Sequence, residues 1–230
     1  MTDVADIRNF ALIGHSHDGK TSLGEAILHT AGAVPELGSV DAGSSHLDTL
    51  PEEKDGHNHH TISSSIFSFD HDGKHLVLVD TPGDPNFIGD GQIILSGLDG
   101  AVLVVSAVDG AKVVTDRMAR SARSGGLACL AFVNGMDHER ADFDAAVESL
   151  RGLGLNPVPV TLPIGAGDGF KGVVNLLDLK DPPAELADAA ASAHQQLVEA
   201  AAECDDELLE KYLEEGDLTA DEAMRGLVQG

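Results

Sequence analysis

Basic residues are scarce in this chain: 14 lysines and arginines stand against 39 aspartates and glutamates in 230 residues, a formal net charge of −25. A field of that sign repels phosphates, so it argues against non-specific binding to nucleic acid or to an anionic membrane. Cysteine is nearly missing, with Cys129 and Cys204 alone. Cys129 falls in the apolar run 127–133, read as a central strand, which favours two buried free thiols over a disulfide. Long hydrophobic runs are also lacking. The longest, Ala101-Val102-Leu103-Val104-Val105, suits a buried strand and is far too short to span a bilayer. The start, Met1-Thr2-Asp3-Val4-Ala5-Asp6, has neither the basic nor the apolar region of a signal peptide. With 42% apolar residues and a mean hydropathy of −0.02, the expectation is a globular cytoplasmic protein without a membrane role. Neither an internal repeat nor a low-complexity tail is visible.

Two motifs carry chemistry. Residues Gly14-His15-Ser16-His17-Asp18-Gly19-Lys20-Thr21 read G-x-x-x-x-G-K-T and are followed by Ser22. An apolar run, Phe10-Ala11-Leu12-Ile13, precedes them, and a helical pattern (Leu23, Ala26, Ile27, Leu28) follows. That strand–loop–helix setting gives the motif its meaning. Backbone N–H groups of such a loop cradle phosphates at a helix N-terminus. Lys20 is then expected to reach the β- and γ-phosphates and the Thr21 hydroxyl to hold Mg²⁺. The second motif, Asp80-Thr81-Pro82-Gly83, ends the run His75-Leu76-Val77-Leu78-Val79. Asp80 is the expected strand-end carboxylate for Mg²⁺, and the Gly83 N–H is expected to face the γ-phosphate. A turn cap is the plainer alternative for Asp80.

Strands are expected at 9–14, 62–69, 75–80, 100–107, 127–133 and 156–163, and helices at 20–31, 88–97, 112–125 and 142–153. The alternation implies an α/β fold of the P-loop NTPase kind, with a mostly parallel sheet and helices on both faces. Asp70-His71-Asp72-Gly73 reads as a hairpin turn, which makes 62–69 an antiparallel edge strand. Residues 32–60 show no periodicity and read as a long functional or disordered loop. After Pro163 the character changes to a short hairpin-like stretch, Pro182-Pro183, and Ala/Glu/Leu-rich helices. The expected division is a GTP-binding domain over 1–163 and an inserted, mainly helical subdomain over 164–230. Asn134-Gly135-Met136-Asp137 follows the 127–133 strand, and a carboxylate there can pair with the ring N–H and exocyclic amine of guanine.

Taken together, these residues resemble the GTP-binding domain of translation elongation factor G, and more closely its second, elongation-factor-G-like branch. The likeness runs through Asn9-Phe10-Ala11-Leu12-Ile13-Gly14-His15-Ser16, Leu37-Gly38-Ser39-Val40, Pro51-Glu52-Glu53, Thr61-Ile62, Asp80-Thr81-Pro82-Gly83, Asn134 with Met136-Asp137, and Leu162-Pro163-Ile164-Gly165. The segment Asp206-Glu207-Leu208-Leu209-Glu210-Lys211-Tyr212-Leu213 resembles a helix of the family's inserted subdomain. The resemblance implies GTP and GDP as ligands, Mg²⁺ as cofactor, hydrolysis, and the ribosome as partner through a longer protein of which this is the N-terminal portion. No sequence-specific nucleic-acid binding is expected of this domain itself.

Four departures from the family pattern bear on chemistry. His17 and Asp18 put bulk and charge into the phosphate loop, where a carboxylate repels the ligand unless a cation intervenes. Asp84 stands where the elongation factors place the histidine that orients the attacking water. Gly135 replaces the lysine that packs on the base. Asn58-His59-His60-Thr61 replaces R-G-I-T, although Thr61 keeps the spacing that lets it close on Mg²⁺ and the γ-phosphate. The expected catalytic set is thus Lys20, Thr61, Gly83 and Asp84, with Thr21, Thr61 and Asp80 around Mg²⁺. His57, His59, His60 and His46 suit no common zinc pattern and read better as a mobile polar switch. The expected function is a slow GTPase; the alternative is a guanine-nucleotide sensor with little turnover, and a relic with an empty site is disfavoured by the retained Lys20, Thr21 and Asp80.

Overall fold

The computed structural model of the chain describes residues 3–54 and 60–229. Two compact units emerge, residues 1–135 with 145–149, and residues 136–144 with 150–230.

The first unit is built on a five-stranded sheet in the order β2-β3-β1-β4-β5. Its strands are β1 (Ile7–Gly14), β2 (Ser65–His71), β3 (Lys74–Asp80), β4 (Gly100–Ser106) and β5 (Ala128–Asn134). β1 runs parallel to β3 and β4, and β4 parallel to β5, whereas β2 pairs antiparallel with β3. The β2–β3 turn is tighter than the tetrapeptide suggested. β2 continues through His71, and Asp72 (φ 47°) and Gly73 (φ 76°) alone make the corner. Two successive left-handed residues give the turn whose twist matches an antiparallel pair.

Flanking helices are α1 (Lys20–Thr30), α2 (Pro51–Lys54), α3 (Ile88–Leu95), α4 (Val113–Ser124) and the middle turn of α5 (Phe143–Gly152). Alternation along β1 sends Phe10 and Leu12 toward Leu23, Ile27 and Leu28 of α1, with Leu78 and Phe69 in the same cluster. Val114, Met118 and Ala122, at helical spacing on α4, are each wholly buried. The fold is an α/β sheet of the P-loop NTPase type with one antiparallel edge pair.

Two expectations fail here. Cys129 is not in a central strand: β5 borders the sheet, residues 128–132 are exposed, and both cysteines are free and exposed. An apolar run marks a strand but does not say which strand lies beside it. The expected strand over 156–163 shrinks to β6 (Thr161–Pro163) and leaves the sheet. It pairs antiparallel with β7 (Val173–Asn175) in the second unit.

That second unit carries α6 (Ala187–Ala202), α7 (Asp206–Glu215) and α8 (Ala220–Gln229), the small helical insert. Asp205 caps α7 by accepting from Glu207 N and Leu208 N. Thr219 and Glu222 form a reciprocal box at the start of α8: Thr219 N donates to Glu222 Oε2 at 2.9 Å and Glu222 N to Thr219 Oγ1 at 3.4 Å. Among the described residues no helix is long and apolar enough to cross a membrane.

Candidate nucleotide-binding site

β1 ends at Gly14 and α1 begins at Lys20, so residues 15–19 form a loop at the carboxyl ends of the parallel strands. β1 lies between β3 and β4, so the chain leaves it at the point where strand order reverses, where open α/β sheets bind ligands. The loop's two framing glycines are both sterically required. A Cβ on Gly14 (φ 145°) would overlap the Val104 carbonyl oxygen, and one on Gly19 (φ 88°) would overlap the Asn134 amide nitrogen. Asn134 Nδ2 donates to the Asp18 carbonyl at 2.9 Å, which ties the end of β5 to the loop. No side chain caps the first turn of α1, so its amides are open to an anion.

Lys20 is buried, and its Nζ donates to the His15 carbonyl at 2.8 Å. Burial lowers its pKa, and the nearby Asp80 and Asp18 oppose that shift. Ser22 points out to solvent from α1. Across the site, Thr21 Oγ1 donates to Asp80 Oδ2 at 2.6 Å, and Thr61 Oγ1 lies 3.2 Å from Thr21 Oγ1. The three residues expected around the cation therefore converge.

Asp80 is wholly buried, and its Oδ1 has no partner among the described residues. Burial raises its pKa to about 6, against the pull of Lys20 and the Thr21 hydroxyl. An inaccessible carboxylate oxygen without a donor is costly until a proton or a cation meets it. Two hydroxyls and a carboxylate are the hard oxygen donors that Mg²⁺ prefers, and it binds through few protein ligands. The residues present fit that ion.

Beyond Asp80 the chain is held close to the loop. Thr81 Oγ1 donates to the Leu12 carbonyl at 2.7 Å, and Ser16 N donates to the Gly83 carbonyl at 2.9 Å. A Cβ on Gly83 would overlap Lys20 Nζ, so only glycine fits this approach. Asp84 turns its carboxylate onward along the chain: Oδ1 accepts from Asn86 N and from Asn86 Nδ2, each at 2.8 Å.

Asp18 is 2% exposed, and the cation that its position demands is Lys112. Lys112 Nζ lies 2.8 Å from Asp18 Oδ1 and 2.9 Å from Asp109 Oδ2. Partial burial would lower the lysine's pKa, but its bonds to the two carboxylates carry it above the ordinary value. Asp18 Oδ2 is buried and unpartnered among the described residues. His15 and His17 both sit below the usual imidazole value, chiefly through partial desolvation, although the His17 side chain remains exposed. His17 adopts a left-handed φ of 65°.

The segment after α1 is not structureless. Two buried glutamates organise it. Glu25 accepts from Ser45 Oγ at 2.9 Å, His46 N at 2.6 Å and Leu47 N at 2.9 Å, and its Oε2 meets His46 Nδ1 at 2.8 Å. Glu53, on α2, accepts from Thr49 N and Leu50 N through one oxygen and from Ile62 N and Ser63 N through the other. Thr61 is thus delivered to Thr21 by a carboxylate clamp on its two following residues. Sequence reading missed Glu25, Glu53 and Lys112. A charge beside Gly24 on the inward face of an apolar helix was the available signal for Glu25. A lysine at the N-cap of α4, where the helix field disfavours cations, was the signal for Lys112.

His46 is taken up by Glu25, and His57, Asn58 and His59 lie outside the described residues. Asp137 is exposed, in a turn of the second unit. The fold and the loop geometry define a P-loop nucleotide-binding domain. Residues 5–222 match the Elongation factor Tu GTP binding domain family, and the chain belongs to that family of translation-factor GTPase domains. A solved structure of a protein from Thermus thermophilus is similar, with a TM-score of 0.85 and 31% sequence identity over 97% of this chain. This chain spans 36% of that protein's length.

Proposed function

We propose that this domain binds Mg-GTP and hydrolyses it to GDP, and that the change in bound nucleotide switches the segments around Thr61 and Gly83. The convergence of Thr21, Thr61 and Asp80, with an Asp80 oxygen buried and unpartnered, carries the reading. Thr21, Thr61 and Asp80 would hold Mg²⁺, directly or through water, and when bound the ion neutralises charge on the β- and γ-phosphates. Lys20 exchanges the His15 carbonyl for phosphate oxygens. Backbone amides of residues 14–19 and of Ser22 at the head of α1 bind the phosphates, and Asn134 braces that loop while Asp137 reads guanine. The Gly83 N–H meets the γ-phosphate, and Asp84 stands at the water-positioning place. The sorting into a GTP-binding domain over 1–163 and an accessory subdomain over 164–230 belongs to this reading. So do membership of the second elongation-factor-G-like branch, a role on the ribosome within a longer protein, and residence in the cytoplasm.

Two features favour a slower variant of this function. The Asp84 carboxylate is engaged by Asn86, and Gly135 gives the base no apolar cover, which suits a nucleotide sensor with little turnover. Calorimetric titration with GTP, GDP and ATP in Mg²⁺ tests the proposal, followed by phosphate release. Guanine-selective binding with hydrolysis is the expected result. Binding without hydrolysis leaves the sensor, and Asp84→His then reports whether the machinery is otherwise sound. A folded chain that binds none of the three overturns both readings.

A further inference from the structure

The geometry points to His60 as a catalytic residue that contacts and orients the attacking water, from the segment before Thr61 rather than from the loop after β3. This rests on the GTPase reading and names the group that sets its turnover. Ser16 is the pivot. Its N–H is bonded to the Gly83 carbonyl, and its hydroxyl lies 3.0 Å from His60 Nδ1. The His60 ring also packs edge-on against His17, with ring centroids 4.7 Å apart. The next residue, Thr61, reaches the Thr21 hydroxyl on the other side. His60 is therefore joined through Ser16 to the segment that carries Gly83, and through its neighbour Thr61 to the residues expected around the cation.

The other candidates are less suited. Asp84 spends an oxygen on two bonds from Asn86 and brings negative charge toward a γ-phosphate whose transition state needs the reverse. His15 extends from the strand end with a ring nitrogen buried and out of reach of solvent. His17 is exposed on a left-handed turn of the loop. Among the described histidines beside the loop, His60 is the one whose ring is held through one nitrogen while the second has no partner among the described residues. When Nδ1–H donates to the Ser16 hydroxyl, Nε2 carries the lone pair, which is the acceptor that a water O–H requires. A neutral imidazole does this without adding charge.

In the step itself the water oxygen forms a bond to the γ-phosphorus while the bond from that phosphorus to the β–γ bridging oxygen breaks. The bridging oxygen keeps the electron pair and leaves as GDP. Both water protons end on the released phosphate, as dihydrogen phosphate, and His60 holds the water in line without being consumed.

The test uses the whole chain and the variants His60→Ala and His60→Gln. Single-turnover hydrolysis at saturating GTP is measured beside the affinities for GDP and for GDP with aluminium fluoride, which mimics the transferring phosphoryl group. His60→Ala is expected to lower the rate about 10²-fold, the scale of one positioned proton acceptor. Affinity for GDP should stay unchanged while that for GDP–aluminium fluoride falls, and His60→Gln, which keeps an acceptor, should recover part of the rate. Unchanged hydrolysis in His60→Ala overturns the inference. So does an equal loss of affinity for both ligands, because His60 would then only latch the loop to Ser16. If the wild-type chain binds no guanine nucleotide, or binds GTP and leaves it intact, the GTPase reading fails and this inference falls with it.

Discussion

The two units of this chain bury different things. Every polar or charged side chain buried among the described residues lies in the first unit, from Asp18 and Lys20 through Glu25, Asp48, Glu53 and Asp80 to Thr115. The second unit buries apolar side chains: Leu176, Leu197, Ala201 and Leu208 are at most 2% exposed. Within the first unit the polar groups divide again. Glu25 and Glu53 are saturated by donors from their own chain, whereas Asp18 and Asp80 each keep an oxygen that no described residue meets. A saturated buried carboxylate fixes a loop; an unsatisfied one waits for a ligand. The difference separates the part of the domain that holds a conformation from the part that performs chemistry.

The sharpest way to break the comparison is to take a saturated carboxylate away. Glu25→Ala would strand the Ser45 hydroxyl and the His46 and Leu47 amides, at about 1–3 kcal/mol for each buried donor. The expected loss is about 4 kcal/mol in urea unfolding of the first unit, with Glu25→Gln milder because an amide oxygen still accepts. The pH dependence has a definite sign. Burial pushes the Glu25 pKa up, but the donors from His46, Leu47 and Ser45 outweigh it and hold the pKa below 4.5. Its stabilisation is therefore complete above about pH 4.5 and fades as pH falls through the lowered folded value. Asp80 acts oppositely: raised from 3.8 to about 6, its ionised form is the disfavoured one, so the metal-free fold gains from it as pH falls across that window. An acid titration of Glu25→Gln should lack the first of these two limbs. A profile identical to wild type would show that the carboxylate does not anchor the segment.

An apolar deletion in the second unit should behave in the contrary way. Leu197, wholly buried on α6, packs with Val174, Leu176 and Ala190. Leu197→Ala should cost about 3 kcal/mol through lost transfer energy and the cavity left behind. Amide exchange of α6 reads that loss locally, and its size should not change between pH 5 and pH 7, since the contact holds no titrating group. A strong pH dependence would mean that the helical unit leans on charge after all.

What could be read from the sequence follows the same divide. The phosphate loop, Asp80 and the β2–β3 hairpin were legible because they depend on residues adjacent in the chain. The spacing of Gly14, Gly19 and Lys20 is itself the loop, and Asp-Gly is itself the turn. Relations across the fold were not legible. Nothing in 127–133 says that its strand borders the sheet, nor in 156–163 that it pairs with 173–175. The stretch 32–54 looked aperiodic because its order comes from single carboxylates rather than from a repeating face: Glu25, on α1, lies twenty residues before Ser45, and Glu53 holds the amides of Thr49 and Leu50. Periodicity reports faces of helices and strands, and it is blind to a loop pinned by one side chain.

The smallest expected effect sharpens the division inside the first unit, between groups that hold and groups that wait. Asp18 belongs to both, with one oxygen on Lys112 and the other unpartnered. Removing one member of a buried ion pair leaves an uncompensated charge, whereas replacing both is often close to neutral. Lys112 is 25% exposed, so water can recover part of the loss, and Lys112→Met should cost about 2 kcal/mol rather than the full buried-pair value. Asp18→Asn in that background should restore most of it. The same cycle read by GTP affinity separates the two roles of Asp18. If Lys112 serves to screen the carboxylate from phosphate, Lys112→Met weakens GTP binding and Asp18→Asn/Lys112→Met regains it. If the pair only braces the loop, stability recovers in the double variant while affinity does not.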